Sequence, residues 1–155
     1  MNARRATVED SAEIVRLAAL LFESMGVPAA WEEHWQAQGD RHVRDRLGKD
    51  LAVFVVDDPQ VAGRLAASVA GTIAQRLPTP NNPSGLAGYV QWVSTDPNHR
   101  RHGLARSAMR ALLDWYDEQG VRSVELHATP MAESLYLSLG FDDSGPRALR
   151  RRAQG

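Results

Sequence analysis

The sequence predicts a single-domain mixed α/β fold, because helix-like and strand-like patterns alternate along a chain of one-domain length. The chain has 155 residues, of which 43% are apolar, and about 150 residues is typical of one domain. The predicted order is two helices, three strands, a helix, a strand, a helix and a final strand or pair of strands, without an internal repeat. Residues 1–155 are therefore expected to form one domain.

The N-terminal half predicts two helices followed by two antiparallel strands. The helices cover residues 10–25 and 31–49, and the strands cover residues 51–56 and 65–75. Asp10 and Glu13 form a capping-box pattern at the start of the first helix. The turn between the two strands is short, which favours antiparallel pairing. A glycine inside the second strand, Gly71, predicts a bulge there.

The C-terminal half predicts a central strand followed by the most regular helix of the chain. In order, the segments are a proline-rich loop (77–85), a strand (89–93), a helix (103–119), a strand (123–128), a short helix (130–139) and a last strand or two from Phe141 onward. The strand at 89–93 is apolar on both faces, which is typical of a central strand. Gly120 ends the long helix.

Composition excludes several classes of function. The chain has no cysteine, which removes disulfides, thiolate metal sites and cysteine nucleophiles. Its 18 basic and 19 acidic residues nearly balance, which argues against a general nucleic-acid or membrane-surface binder. No stretch approaches the ~18 apolar residues of a transmembrane helix, and no apolar signal-peptide core follows the first residues. We expect a cytoplasmic protein without a nucleic-acid, membrane or metal partner.

The charges on the long helix are reversed relative to its dipole. Basic residues crowd its start and acidic ones its end: Arg100, Arg101, Arg106 and Arg110 against Asp114, Asp117 and Glu118. A helix N-terminus carries about +0.5 charge, so this arrangement is unfavourable unless an anion neutralises it. Gly103 and Ala105 leave the backbone accessible to a phosphate. A solvated basic face is the alternative, but four arginines beside a glycine favour an anion site.

The loop spacing indicates which anion. The sequence lacks the Gly-Lys-Ser/Thr of a mononucleotide loop and the three glycines of a dinucleotide fingerprint. Its Arg100-x-x-Gly103-x-Ala105 spacing resembles the Q/R-x-x-G-x-G/A signature of the GNAT N-acetyltransferase superfamily. Two further segments are similar to that family, namely the strand-to-loop junction at 93–97 and the run 126–141, which contains a tyrosine-bearing helix ending in Gly-Phe. The match is strong over residues 88–141 and loose over 5–25.

The resemblance implies a fold in which the fourth and fifth strands splay apart to admit acetyl-CoA. The pantetheine would pair with the main chain of the fourth strand, and the pyrophosphate would rest on the loop. The residues expected to bind acetyl-CoA or CoA are Val93, Ser94, Thr95, Arg100, Arg101, His102, Gly103, Leu104, Ala105 and Arg106. Thr129 stands where the family often has an asparagine that contacts the cofactor.

The resemblance also implies that Tyr136 is the general acid. A thiolate leaving group, whose conjugate acid titrates near ~8.5, can take a proton from a nearby phenol. Packing in the core is the alternative role of this ring. No residue is assigned as the general base, because Gln91 occupies the strand where some family members have a glutamate. Glu125 and His127, on one face of the following strand, are candidates.

The leading functional hypothesis is an N-acetyltransferase that moves acetyl from acetyl-CoA to a primary amine of a small molecule or peptide. The absence of cysteine fits direct attack in a ternary complex. Trp31 and Trp35 are candidates for the wall of the acceptor pocket, with core packing as the alternative. An acyl-CoA-binding regulatory module without turnover is the competing hypothesis, based on Gln91 and Thr129. The resemblance makes a homodimer a reasonable oligomeric state.

Overall fold

The structure, a computed structural model, describes residues 2–154 and contains one five-stranded sheet in the order β1-β2-β3-β4-β5. The strands are β1 (Arg4–Arg5), β2 (Leu51–Asp57), β3 (Leu65–Gln75), β4 (Leu86–Thr95) and β5 (Ser123–Glu125). The helices are α1 (Ser11–Ser24), α2 (Glu33–Arg46), α3 (Leu104–Glu118) and α4 (Glu133–Ser138), with short 3₁₀ turns at Val8–Asp10 and Pro97–His99. Neighbouring strands are antiparallel except β4 and β5, which are parallel. The mixed α/β prediction is confirmed.

Helices cover both faces of the sheet. On one face, Ile14 and Leu17 of α1 pack with Val53 and Val55 of β2 in a fully buried cluster. On the other face, α3 packs its apolar side against residues of β2, β3 and β4. Alternate residues of β2 contribute to the two clusters, since successive side chains of a strand point to opposite faces. Within residues 2–154, none of the helices is long and apolar enough to span a bilayer.

Two glycines let α3 lie close to the sheet. A Cβ on Gly71 would lie 2.5 Å from the hydroxyl of Tyr116, and one on Gly88 would lie 2.6 Å from its ring. The Tyr116 hydroxyl lies 3.0 Å from the carbonyl oxygen of Thr72 and 3.2 Å from that of Tyr89. Gly71 therefore makes room for a ring. The bulge predicted at this glycine is wrong, because its pairing register continues on both sides.

The register irregularities lie elsewhere: one is near the start of β3, where Val56 pairs with Ala67 and Asp57 with Leu65, and the other is in β4. Ala70 pairs with Gln91, whereas Ser68 pairs with Ser94, so β4 has one residue more than β3 in this interval. Trp92 adopts a positive φ of 56° there. An extra residue of this kind bends a strand and re-aims its side chains. The bulge therefore changes the direction of β4 shortly before it reaches the loop.

Strands β4 and β5 part after a short paired stretch. Their pairing covers residues 87–89 of β4 and ends where Tyr89 faces Glu125. From there β4 continues to Thr95, while residues 126–129 are not in a strand. The predicted extension of the fifth strand to residue 128 is therefore wrong, and the predicted splaying of the fourth and fifth strands is confirmed. The resulting gap leaves one edge of β4 without a strand partner.

The chain termini differ from the sequence prediction in two ways. Asp10 makes no side-chain cap on α1, because its carboxylate accepts hydrogen bonds from Arg4 and from the amide of Thr7. Glu13 likewise binds another partner, the amide of Leu65, at 2.9 Å. The last strand predicted from Phe141 is absent, since residues 141–154 contain neither helix nor strand. That segment is rich in turn-forming residues and almost fully exposed, so it has no buried apolar face that would stabilise a strand.

Candidate functional site

The free edge of β4 forms one wall of the gap. Val93 and Thr95 are half-buried on the part of β4 that has no β5 partner. Ser94, between them, is buried, and its hydroxyl donates a 2.7 Å hydrogen bond to the carbonyl oxygen of Leu17. The side chain of Ser94 is thus engaged with α1. Ser94 therefore offers no side-chain polar group to a ligand in the gap, and in the sheet it is paired with Ser68 of β3.

The loop between β4 and α3 presents free backbone amides. Arg101 and Gly103 adopt the left-handed conformation, with φ of 69° and 71°. The amides of Leu104, Ala105 and Arg106 have no hydrogen-bond acceptor among residues 2–154, as expected for the first turn of a helix. The space that a Cβ on Gly103 would occupy has no atom within 4 Å. An anion can therefore approach these amides closely, and the residues present fit a pyrophosphate.

The basic residues of the loop reinforce this arrangement. Arg100, Arg101 and His102 are exposed and Arg106 is half-buried, and none forms an ion pair with another residue of the described chain. Leu104 differs from its neighbours, because its side chain is buried against β2 and β3. Its contribution to an anion site is limited to its amide. The loop thus combines uncompensated positive charge with an open backbone, as its sequence predicts.

Tyr136, on α4, is buried in the core cluster that includes Val90 of β4 and Met109 of α3. Its ring meets Phe141 edge-on at 6.1 Å, so the packing role considered for this residue is real. Its hydroxyl forms no hydrogen bond with the rest of the described chain. Burial raises the pKa of Tyr136, so the phenol stays protonated at neutral pH. A packed ring with a protonated, unengaged hydroxyl is compatible with proton donation.

A polar pair bridges β4 and the segment after β5 where the two strands part. The hydroxyl of Tyr89 lies 2.7 Å from Nδ1 of His127, and Arg150 lies 3.3 Å from Nε2 of the same ring. Gln91 and Glu125 are exposed nearby in the two strands. Tyr89 is not among the predicted site residues, although its position on the strand that precedes the loop could have indicated that it lies at the site. The base candidates therefore lie beside the gap.

Aromatic rings connect α1, α2 and the β4 bulge. Trp35 lies between Phe22 and Trp92, with ring centroids 5.3 Å and 6.2 Å away. All three rings are partly buried. Trp31 is half exposed, and its indole nitrogen donates to Glu23. Trp35 thus packs against other aromatic rings, which is the alternative to a role in the acceptor pocket, while Trp31 remains exposed to solvent.

Comparison with models of known protein families identifies the family to which this architecture belongs. The model of the Acetyltransferase (GNAT) family matches residues 15–141. The chain belongs to this family. The matched range contains the strands that part, the basic loop and the tyrosine-bearing helix, so the resemblance found in the sequence is confirmed.

Known proteins show the same similarity. N-acetyltransferase 8F1 of Rattus norvegicus is 33% identical over 85 residues, which cover 52% of this chain and 38% of the relative. The match thus spans well under half the length of that relative. A predicted acetyltransferase of Clostridium acetobutylicum, solved with acetyl-CoA, superposes with a TM-score of 0.84 at 20% identity, covering 97% of this chain and 95% of the other. A GCN5-related N-acetyltransferase of Ralstonia eutropha JMP134 gives 0.78 at 20% identity, with 97% of both chains covered.

Proposed function

We propose that this chain is an acetyl-CoA-dependent N-acetyltransferase that acetylates a primary amine by direct attack in a ternary complex. The observation that carries the proposal is the juxtaposition of free loop amides with the open edge of β4 inside a GNAT domain. The first can hold a pyrophosphate, and the second can hold an extended amide-containing arm. When bound, acetyl-CoA supplies an activated acetyl thioester.

The cofactor would be held mainly by backbone groups. The backbone of Val93 and Thr95 is available for pairing along the free edge of β4. The amides of residues 104–106 and the left-handed loop would bind the pyrophosphate, with Arg101 and Arg106 adding charge-assisted contacts. Because backbone groups would make most of these contacts, the burial of the Ser94 and Leu104 side chains does not prevent cofactor binding.

Tyr136 is proposed to protonate the departing thiolate. Its raised pKa keeps the phenol protonated at neutral pH, and because a thiolate whose conjugate acid titrates near ~8.5 is a weaker base than the phenolate, the proton transfer runs uphill and is completed when the phenolate is reprotonated. The phenol would then recover its proton from solvent. The packing of its ring against Phe141 fixes the direction of the hydroxyl, as a general acid requires.

The incoming amine must lose a proton before it attacks. An ammonium with a pKa near ~10.4 lies about 3.4 units above neutrality, so exposing its lone pair costs roughly 4.6 kcal/mol. The amide of Gln91 cannot accept this proton. Glu125 and His127 both lie beside the gap and remain the candidates for the base, acting directly or through water.

The test is acetyl-CoA-dependent release of free thiol in the presence of a panel of small amines and peptides. Amine-dependent release with formation of the acetylated product supports the proposal. Acetyl-CoA binding without turnover on any amine would instead support a regulatory module, the reading favoured by Gln91 and Thr129. A chain that fails to bind acetyl-CoA at all would contradict both readings.

A further inference from the structure

The segment that leads from β4 to the pyrophosphate loop is anchored on one side by Asp96. This buried carboxylate accepts hydrogen bonds from Arg16 and from the amide of Asn98, both at 3.0 Å. Burial alone would raise the pKa of Asp96, but these two hydrogen bonds and the electrostatic attraction of Arg16 and His99 together lower it. The amide of Asp96 also donates to the carbonyl oxygen of Ala66 at 2.8 Å. The start of the segment is thereby fixed to α1 and β3.

A second anchor lies three residues further along the chain. His99 donates from Nε2 to Asp58 at 3.0 Å, and the two side chains are only 13% and 6% exposed. The other oxygen of Asp58 accepts the amides of Gln60 and Val61, at 2.8 and 3.2 Å. The pKa of Asp58 is lowered, chiefly by the hydrogen bond from the Gln60 amide and to a smaller extent by those from His99 and Val61. His99 is therefore held by a carboxylate that is itself fixed.

Little else connects the loop to the β2–β3 turn at this point. A cavity of about 580 Å³ lies between them, with Arg64 on one side and His102 and Leu104 on the other. Within residues 2–154, the His99–Asp58 pair is the one side-chain hydrogen bond between residues 58–64 and 97–106. The left-handed residue Arg101 lies only two positions beyond His99. The pair thus restrains the part of the loop that precedes the buried side chain of Leu104.

We propose that His99 and Asp58 are positioning residues that hold the pyrophosphate loop in its binding conformation before acetyl-CoA arrives. The inference rests on the proposed use of acetyl-CoA. A loop that is already ordered pays less conformational entropy when a ligand binds, so the pair acts on cofactor affinity. Neither side chain contacts the reacting atoms in this scheme. Loss of the pair lets the loop sample conformations in which its amides no longer converge.

The test is the Kd for CoA, measured by calorimetry on the full chain. His99→Ala should raise this Kd about tenfold, the scale of one hydrogen bond to a charged group, and the KM for acetyl-CoA should rise with it. His99→Gln, which keeps an N–H donor at the end of the side chain, should restore most of the affinity. Because Asp58 supports the loop only through His99, the double variant of His99→Ala and Asp58→Ala should bind CoA no more weakly than the weaker single variant.

The neighbouring carboxylate provides a matched control. Asp57, the last residue of β2 and the neighbour of Asp58, pairs with Arg4 at 2.8 Å and not with the loop, so Asp57→Ala should leave the Kd for CoA unchanged. If His99→Ala folds and binds CoA as tightly as the parent, or loses only kcat, the positioning role is wrong while the proposed function stands. If the parent itself does not bind CoA, the proposed function falls, and this inference falls with it.

Discussion

A substitution at Gly103 tests whether the loop binds an anion, and a matched control distinguishes lost binding from a general loss of stability. Gly103 precedes α3 with φ of 71°, and no atom lies within 4 Å of the position of an added Cβ. The Cβ introduced by Gly103→Val therefore meets no steric clash in the free protein, and the main penalty is backbone strain. That strain is about 1–2 kcal/mol for an L-residue in the left-handed region. The branched side chain would also cover the amides that bind the pyrophosphate.

The other end of the same helix provides the control. Gly120 has φ of 73° and equally open surroundings, so Gly120→Val carries the same strain far from the loop. Each variant should lower Tm by about 2–8 °C, taking about 2–4 °C per kcal/mol for a chain of this size. The two variants should be similarly destabilised. They should differ only in their response to CoA.

The assay is thermal unfolding with and without CoA at about 100 times the parent Kd. Such a concentration stabilises the parent by about 2.7 kcal/mol, or about 5–11 °C. Gly120→Val should keep this shift. If Gly103→Val weakens binding about 100-fold, the ligand is at its Kd and adds only about 0.4 kcal/mol, or about 1 °C. An equal CoA-induced shift in both variants would remove the loop from the site.

Three further results are expected. Tyr136→Phe keeps the packed ring and deletes the proton donor, so kcat should fall about 10²–10⁴-fold with little change in the Kd for CoA, and a kcat within about threefold of the parent would exclude the acid role. Reversing charge at Arg101 and Arg106 together (R101E/R106E) should abolish most of the CoA-induced Tm shift, and an unchanged shift would contradict the charge argument. Because the pKa of Asp96 is lowered in the folded state, its contribution to stability is present above the unfolded value of about 3.9 and is lost as pH falls below it. Asp96→Asn should accordingly flatten the acid side of a plot of unfolding free energy against pH, as measured by denaturant titration.

Local patterns predicted the central part of the chain well. The long helix was expected at 103–119 and runs over Leu104–Glu118, because its apolar period and its terminal glycines act within one or two turns. The reversed charges around Gly103 are likewise local, and they indicated an anion before any neighbour in space was known. The loop conformation agrees with this, as the free amides and left-handed residues show.

Errors arose where a residue has a partner other than the one that its local pattern favours. Asp10 fits a helix cap by its spacing, yet Arg4 and the amide of Thr7 take its carboxylate. Gly71 resembles a bulge, but its lack of a side chain serves the ring of Tyr116, which lies 45 positions away in the sequence. In each case the residue type was informative. Its role depended on which segment the fold brings against it.

The sequence by itself determined the alternation of elements, the basic and open character of the loop and the family. These properties follow from the periods of 2 and 3.6 residues, from turn chemistry and from motif spacing, all of which act over short distances along the chain. Only the tertiary structure decided at which residue β4 and β5 part, that the Ser94 side chain bonds to α1, and that His99 contacts Asp58. The physical reason is that hydrogen bonding and burial are satisfied by whichever groups the sheet brings together, and no local pattern records that choice.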